Sequence, residues 1–162
     1  MSALKCGVCD SCKNFVIGDS KFKALATGRV YKIRKNMNCN TPNIIYVANC
    51  SKCLQQGVGA TIKWKPRLRN YKSHIKKGKK TCRIVKHFLE ECNDNNDPCR
   101  YLRFQIIDCL DNVEGLSVEQ IDELLLQKEK YWIKNLVTVH QGMNSHHDLN
   151  RKKRGDMEKE MD

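Results

Sequence analysis

The sequence predicts an α+β domain in which a small three-stranded antiparallel sheet is flanked by helices and preceded by an irregular, Cys-rich segment. Two short β-rich runs lie close together in the first half, a third run alternates in polarity after residue 101, and helical patterns separate and follow them. The order β, β, α, α, β, α joins the first two strands as a hairpin and leaves the helices to cover the sheet. A chain of 162 residues can bury an apolar core of its own.

The first two strands are predicted to form a hairpin. Residues 43–50 are a near-continuous apolar run, which is typical of a buried strand, and residues 57–62 have the composition of a second short strand after a turn. A helix is predicted over Pro66–Ile75, because proline suits the first helical turn and apolar residues then recur at spacings of three and four.

Three further elements complete the predicted domain. Residues 83–91 are predicted to form a short helix and residues 102–110 the third strand. The strongest helix signal covers residues 118–136, where Ser117 and Gln120 form a capping box. Its predicted core-facing stripe consists of Val118, Ile121, Leu124, Leu125, Trp132 and Leu136. Glu129 lies outside that stripe, as expected of a solvent-facing residue and equally of a functional carboxylate.

The net charge of +12 is divided unevenly along the chain. Residues 1–89 carry 20 Lys and Arg against two acids, a net charge of +18, whereas residues 90–162 carry 10 against 16, a net charge of −6. Residues 63–86 contain eleven basic residues and no acid. Such a block is either a solvated helix face or a surface for nucleic acid, and the aromatic residues within it favour nucleic acid. The candidate phosphate contacts are Lys63, Lys65, Arg69, Lys72, His74, Lys76 and Lys77.

Ten cysteines in one chain require an explanation. The start has no apolar run typical of a signal peptide, and nowhere do about 18 consecutive apolar residues indicate a membrane span. We therefore expect a nuclear or cytoplasmic protein without a membrane partner, and the basic run at residues 151–154 is compatible with nuclear import. In a reducing compartment, metal ligands and buried free thiols explain cysteines better than disulfides do.

Zn²⁺ is the metal that the cysteine spacing favours. Gaps of two residues let neighbouring thiolates reach one ion, and four ligands close a tetrahedral structural site. The favoured set is Cys6, Cys9, Cys12 and Cys39. A mixed set that includes Cys50 and Cys53, and no metal at all, are the alternatives. Cys82, Cys92, Cys99 and Cys109 are predicted to be ordinary core or loop thiols, and His87, like His74, is expected to be exposed.

Five short features occur in one order along the chain. They are Ile44-Ile45-Tyr46, Gly57-Val58-Gly59, Arg67, Glu129 and Asn144. Together they resemble the GIY-YIG nuclease family, and the tracts 43–53, 56–74 and 129–144 look like the version associated with Penelope-like retroelements. The resemblance covers roughly residues 6–144, and its specificity lies in the order and spacing because each motif is short.

The resemblance implies a retroelement-derived DNA endonuclease domain that hydrolyses phosphodiester bonds with one divalent metal, Mg²⁺ or Mn²⁺. Tyr46 would orient or deprotonate the attacking water, and Arg67 would neutralise charge on the phosphate oxygens. Glu129 would hold the metal ion. Tyr71 would fill an auxiliary position one helical turn after Arg67, and Asn144 would support the site by hydrogen bonding.

Two positions depart from the family pattern. The second motif should begin with tyrosine, but that position is Gly57, and the first motif's glycine is replaced by Ile44. Loss of a phenol that takes part in proton transfer implies a slow or inactive nuclease, since general acid–base help is worth about 10²–10⁴ in rate. A non-catalytic nucleic-acid-binding module on a degenerate nuclease scaffold is the alternative function. A zinc-stabilised protein-interaction domain is a third.

Three regions follow from these patterns. Residues 1–42 are predicted to be a Cys-rich segment that could bind zinc, residues 43–144 the nuclease-like domain, and residues 145–162 a charged, disordered tail.

Overall fold

The computed structural model describes Cys9, Lys13 and residues 15–153. Within these residues the architecture is α+β, with five α-helices and a three-stranded antiparallel sheet in the order β4-β3-β5. The strands are β1 Lys21–Lys23, β2 Val30–Lys32, β3 Ile44–Cys50, β4 Gln56–Thr61 and β5 Leu102–Cys109. The helices are α1 Trp64–Lys77, α2 Arg83–Lys86, α3 Val118–Leu136, α4 Thr138–Gln141 and α5 His146–Asn150, and a π-helical turn over His87–Glu91 continues α2.

The predicted hairpin, third strand and long helix are confirmed, with bounds that differ by at most one residue. Helix α1 is two residues longer at each end than its apolar spacing predicts, and it ends at Gly78, which has a left-handed conformation. The capping box at Ser117 is formed as predicted, with Gln120 as its reciprocal partner. Local sequence signals therefore set most of the element boundaries.

One face of the sheet packs against α1 and forms the aromatic part of the core. Tyr46 of β3 lies opposite Gly59 of β4, so both point toward this face. Trp64 and Tyr71 of α1 cover it, and both of their rings contact Phe104 of β5. This arrangement places the central strand's tyrosine under α1, where the candidate site begins.

The opposite face of the sheet carries α3 and a ribbon formed by β1 and β2. Gln56 points to this face because side chains alternate along a strand, and its Nε2 donates a hydrogen bond of 2.7 Å to the carbonyl oxygen of Lys23. Phe22 and Tyr31 of the ribbon stack on each other, and both contact Trp132. The segment predicted to be irregular thus contains a ribbon and contributes to the core. Its buried residues are Val16, Phe22, Ala24, Ile33, Met37 and Cys39.

Helix α3 buries a different face from the one predicted. Leu125 and Leu136 are buried as expected, but Val118 and Leu124 are 63% and 39% exposed. The buried face also includes Glu129, whose charge hid it from a count of apolar residues. None of the described helices has both the length and the apolar composition needed to cross a membrane.

The segment after residue 144 folds back onto the domain. Ser145 and Asp148 form a capping box that starts α5, and Asp148 and Arg151 are buried. The prediction of a disordered tail is therefore wrong for residues 145–151, because this local cap and a buried ion pair hold them in place. The rest of the predicted tail, residues 154–162, lies outside the described residues.

Candidate active site and metal centre

One pocket contains all five residues that the resemblance singled out. Tyr46, Arg67, Tyr71, Glu129 and Asn144 line the same cavity, although they come from β3, α1, α3 and the segment after α4. The other lining residues are Val58, Gly59, Ala60, Cys82, Arg83, Ile84, Met143, Asp148 and Arg151. Residues far apart in the chain are therefore gathered as an active site would require.

The two tyrosines of the pocket are held by each other and by a glycine. The hydroxyl groups of Tyr46 and Tyr71 share a hydrogen bond of 2.8 Å. A Cβ atom at Gly59 would lie 2.3 Å from the Tyr46 hydroxyl oxygen, so that only glycine lets this ring cross over β4. The close approach of the Tyr46 ring thus explains why residue 59 is glycine.

Burial makes both phenols weaker acids than an exposed tyrosine. It raises the pKa of Tyr46 to about 12, against the opposing effects of Arg67 and the hydrogen bond from Tyr71. Burial also raises the pKa of Tyr71 well above its usual value, and the neighbouring Tyr46 adds to the increase. Both hydroxyl groups are protonated near neutral pH and can act there as hydrogen-bond donors, not as bases.

Basic groups surround the tyrosines. Arg67 points from the buried face of α1 into the pocket, although it belongs to the basic block. Arg83 is anchored at the rim because its Nη1 donates a 2.7 Å hydrogen bond to the carbonyl oxygen of Asn144. Burial raises the pKa of the Cys82 thiol, which disfavours a reactive thiolate. The arginines give the pocket donors suited to phosphate oxygens.

Asn144 holds the edge strand β4 to the C-terminal segment. Its Oδ1 accepts hydrogen bonds from the Val58 backbone N–H at 2.6 Å and the Thr138 hydroxyl at 2.7 Å. Its Nδ2 donates to the Val58 carbonyl oxygen at 2.9 Å and to Asp148 Oδ2 at 3.1 Å. These contacts fit the supporting role that the resemblance implies for Asn144.

Glu129 is paired with an arginine. Arg151 Nη2 donates to Glu129 Oε2 at 2.7 Å, and both side chains are more than nine-tenths buried. The other acidic residue of the pocket, Asp148, accepts from the Ser145 backbone N–H and from Asn144 through the same Oδ2. A divalent cation at Glu129 would lie beside a buried guanidinium group of like charge. These residues therefore do not fit the catalytic Mg²⁺ or Mn²⁺ that the resemblance implies while Arg151 is in place.

The position of the missing tyrosine is filled by other side chains. A Cβ atom at Gly57 would lie 2.9 Å and 3.0 Å from two Ile84 carbon atoms and 3.1 Å from Met143 Cβ. Gly57 points to the same face as Gly59 because the two are separated by one residue in a strand. The space where a tyrosine ring would begin thus belongs to the core of this protein.

A second cluster lies where the hairpin turn meets the end of the π-helical turn. Cys50, Cys53, His87 and Cys92 place one potential ligand atom each within 4.8 Å of one another. Cys50 Sγ and Cys92 Sγ are 3.4 Å apart, and Cys53 Sγ and Cys92 Sγ are 2.6 Å apart, all as free thiols. The π-helical turn closes with the Cys92 backbone N–H donating to the His87 carbonyl oxygen at 2.9 Å, which brings both residues to the cluster. Three Cys and one His form a donor set that could bind a metal such as zinc.

The histidine of the cluster supports this assignment. His87 is 2% exposed, and its Nε2 is buried without a hydrogen-bond partner among the described residues. Its Nδ1 lies 3.1 Å from Glu91 Oε2, the kind of carboxylate contact that orients a metal-binding imidazole. The donor set and this unpaired nitrogen both fit a zinc ion.

Several predictions about these residues need correction. His87 is buried, not exposed, and Cys92 is part of a cluster, not an isolated thiol. The sequence spacing of His87 and Cys92 did not indicate a metal site, because they meet Cys50 and Cys53 only through the packing of the π-helical turn against the sheet. Of the favoured zinc set, Cys6 and Cys12 lie outside the described residues. Cys9 is half-buried and Cys39 is buried, and neither belongs to the Cys₃His cluster.

The exposed face of α1 is basic. Arg69, Lys72, Lys76 and Lys77 line a shallow groove along it, because residues three and four apart share a face of a helix. Lys63 is exposed and Lys65 half-buried. His74 instead faces inward, 5% exposed, with Nδ1 3.0 Å from the Thr81 hydroxyl oxygen. His74 is therefore misplaced in the predicted set of phosphate contacts.

The comparisons with known proteins found no relative. No protein-family model, curated protein or solved structure matches this chain.

Proposed function

We propose that this chain is a DNA endonuclease-like domain of the GIY-YIG type, derived from a retroelement of the Penelope-like kind. The observation that carries the proposal is the pocket in which Tyr46, Arg67, Tyr71, Glu129 and Asn144 meet. The five residues come from four separate segments of the chain. Convergence in one cavity is what a common site for one phosphodiester requires.

The pocket's own residues suit a phosphate group. Arg67 and Arg83 supply guanidinium donors, which match the oxygens of a phosphodiester. Tyr46 and Tyr71 remain protonated, and because they share one hydrogen bond, one of the two hydroxyl protons stays available to a phosphate oxygen. The basic face of α1 gives the flanking DNA backbone a positively charged track.

Non-catalytic binding of nucleic acid is the second candidate function, and two contacts favour it. Arg151 pairs with the Glu129 carboxylate, which hydrolysis in this family would use to hold the metal. Ile84 fills the space beside Gly57, where the family's second tyrosine would lie. In this function, the pocket and the basic face bind the DNA backbone without cutting it.

We also propose that Cys50, Cys53, His87 and Cys92 bind one structural Zn²⁺ ion. When bound, the ion would tie the β3–β4 turn to the π-helical turn and so fix the ends of the hairpin and of α2. A closed four-ligand set leaves no position for substrate, which indicates a structural role.

DNA binding tests the shared part of both functions. Fluorescence anisotropy with a labelled duplex should give an affinity that falls steeply with salt, with a slope of about 0.9 per phosphate contact. Arg69→Gln/Lys72→Gln/Lys76→Gln should weaken binding and flatten the slope. The matched control, Lys134→Gln/Lys152→Gln/Lys153→Gln, removes the same charge from other exposed positions. Equal effects of the two triple variants would contradict a binding role for the α1 face.

Plasmid nicking separates the two candidate functions. Supercoiled DNA is incubated with the zinc-loaded chain and Mg²⁺ or Mn²⁺, alongside Arg67→Gln and Glu129→Gln. Nicking that is lost in both variants supports the endonuclease. DNA binding with no nicking, or nicking that is equal in Glu129→Gln, excludes the enzyme and leaves the binding module.

A further inference from the structure

Arg151 contacts the carboxylate of Glu129, which a metal ion could reach only if that carboxylate were accessible. Its Nη2 is 2.7 Å from Glu129 Oε2 in a pair that is almost completely buried. We propose that Arg151 is a resident cation that closes the Glu129 carboxylate to divalent metal ions. This inference rests on the proposed nuclease-like site, in which Glu129 is the group that such an ion would need.

The fold positions Arg151 by several backbone contacts. Its backbone N–H donates to the His147 carbonyl oxygen at 3.0 Å, which continues the last turn of α5. Lys130 Nζ, from the residue next to Glu129, donates to the Arg151 carbonyl oxygen. The guanidinium group is thus carried to Glu129 by a docked segment and not by a loose side chain.

The docked segment is itself fastened to the pocket. Asp148 begins α5 through its capping box with Ser145 and accepts a hydrogen bond from Asn144 Nδ2. Asn144 in turn is bonded to both backbone groups of Val58 in β4. The segment that delivers Arg151 is therefore attached to the same residues that build the site.

Electrostatics make the pair and a divalent ion mutually exclusive. A guanidinium group in contact with the carboxylate neutralises it, and burial leaves little water or salt to weaken the interaction. A second cation at the same oxygen would meet that positive charge at short range. Metal entry therefore requires Arg151 to leave Glu129. The apparent affinity for the metal is the affinity of the open site multiplied by the fraction of molecules in which Arg151 has left. If that fraction is 1%, the metal binds about 100-fold more weakly than to an open site.

Metal binding tests the inference directly. The full chain is first loaded with zinc so that the Cys₃His cluster is filled, and Mn²⁺ binding is then measured by electron paramagnetic resonance. Arg151→Met removes the charge, and Arg151→Gln removes it while keeping an N–H donor for Glu129. Lys152→Met is the matched control, because Lys152 is the exposed neighbour of Arg151.

Both Arg151 variants should gain one Mn²⁺ site that binds at least tenfold more tightly than any site in the wild type, a modest coupling between two ligands. The gain should disappear when Glu129→Gln is added, and Lys152→Met should behave as the wild type. Mn²⁺ should also raise the thermal midpoint of the Arg151 variants but not that of the wild type. This second readout detects metal even where an Arg151 variant is partly unfolded.

Two results would overturn the inference. One is a wild-type Mn²⁺ site that binds as tightly as in Arg151→Gln and is lost in Glu129→Gln. The other is a folded Arg151 variant that gains no Mn²⁺ site. DNA binding by the same proteins is scored separately, so that loss of DNA binding counts against the proposed function and leaves the metal result intact.

Discussion

The Cys₃His cluster and the Glu129 pocket differ in what already occupies their ligand atoms. In the cluster, four soft or borderline ligands lie within 4.8 Å of one another, and a buried imidazole nitrogen has no partner among the described residues. In the pocket, the carboxylate that should hold a hard cation is bonded to Arg151. The cluster could bind a metal, whereas the carboxylate of the pocket is already paired with a cation of the protein itself. The two regions therefore differ in which of their groups are already paired within the protein.

The two regions also stabilise the fold by different means. A metal at the cluster would join segments that are close in space through four ligands. The Arg151–Glu129 pair joins α3 to the C-terminal segment through one buried ion pair, which stabilises only while both partners are present. This contrast sets the order of the expected effects.

The largest effect is expected from loss of the cluster. Cys92→Ser should lower the free energy of unfolding by about 5 kcal/mol or more. The thermal midpoint should then fall by roughly 10–20 °C, measured by circular dichroism on zinc-loaded protein. Cys109→Ser, at another buried thiol, is the control and should cost far less. Equal losses in the two variants, or no bound zinc by metal analysis, would contradict the zinc site.

Breaking the ion pair should have the next largest effect. Arg151→Met removes one partner of a buried ion pair, which should cost about 3–5 kcal/mol in urea unfolding at pH 7 without divalent metal. Adding Glu129→Leu should recover most of this loss, because a buried pair is often replaced by apolar residues at little cost. Additive losses in the double variant would show that the two residues do not act as a pair.

Restoring the missing tyrosine should destabilise the protein. Gly57→Tyr forces a side chain against Ile84 and Met143, and overpacking of this kind costs about 1–3 kcal/mol or more. Ile84→Ala provides space for the new ring. The free energy that the double variant loses should therefore be about 1 kcal/mol smaller than the sum of the two single losses. Urea unfolding of all four proteins measures this coupling. A coupling of zero would mean that Ile84 does not occupy the tyrosine's position.

The smallest effect is expected at Asp108, which belongs to neither region. Its carboxylate bonds Lys128 Nζ at 2.9 Å, Trp132 Nε1 at 3.1 Å and Lys35 Nζ at 3.1 Å. Burial alone would raise the pKa of Asp108, but these donors outweigh it and lower the pKa from the usual 3.8. Because the folded pKa is depressed, the stabilisation is present above pH 3.8 and is lost as the pH falls through the folded value.

Asp108→Asn should therefore cost about 1 kcal/mol at pH 7, and the difference from the wild type should shrink below pH 3.8. Urea unfolding of both proteins from pH 7 to pH 2.5 measures it. A difference that is constant over this range would mean that the ionised form of Asp108 is not what stabilises the fold.

Much of the fold was predictable because its signals are local. The apolar run of β3, the proline and spacing of α1 and the capping box at Ser117 each depend on neighbouring residues. The buried face of α3 was not predictable from apolar count, since Glu129 belongs to it. The β1–β2 ribbon was missed because its strands are only three residues long.

The candidate site divides in the same way. Motif order pointed to Tyr46, Arg67, Tyr71, Glu129 and Asn144, and the pocket brings them together. Spacing could not identify Arg151 as the partner of Glu129, or His87 and Cys92 as partners of the Cys50–Cys53 turn, because ion pairs and metal clusters depend on distances between segments remote in sequence.

Residue type and short-range spacing were enough to predict the three strands of the main sheet, the two longest helices and the basic face of α1. Which groups became neighbours depended on how these elements pack in three dimensions. This packing buried Glu129 against Arg151, set Ile84 beside Gly57 and gathered the Cys₃His cluster. The physical reason is that charge pairing, steric exclusion and metal coordination act over a few ångströms in space, whatever the separation along the chain.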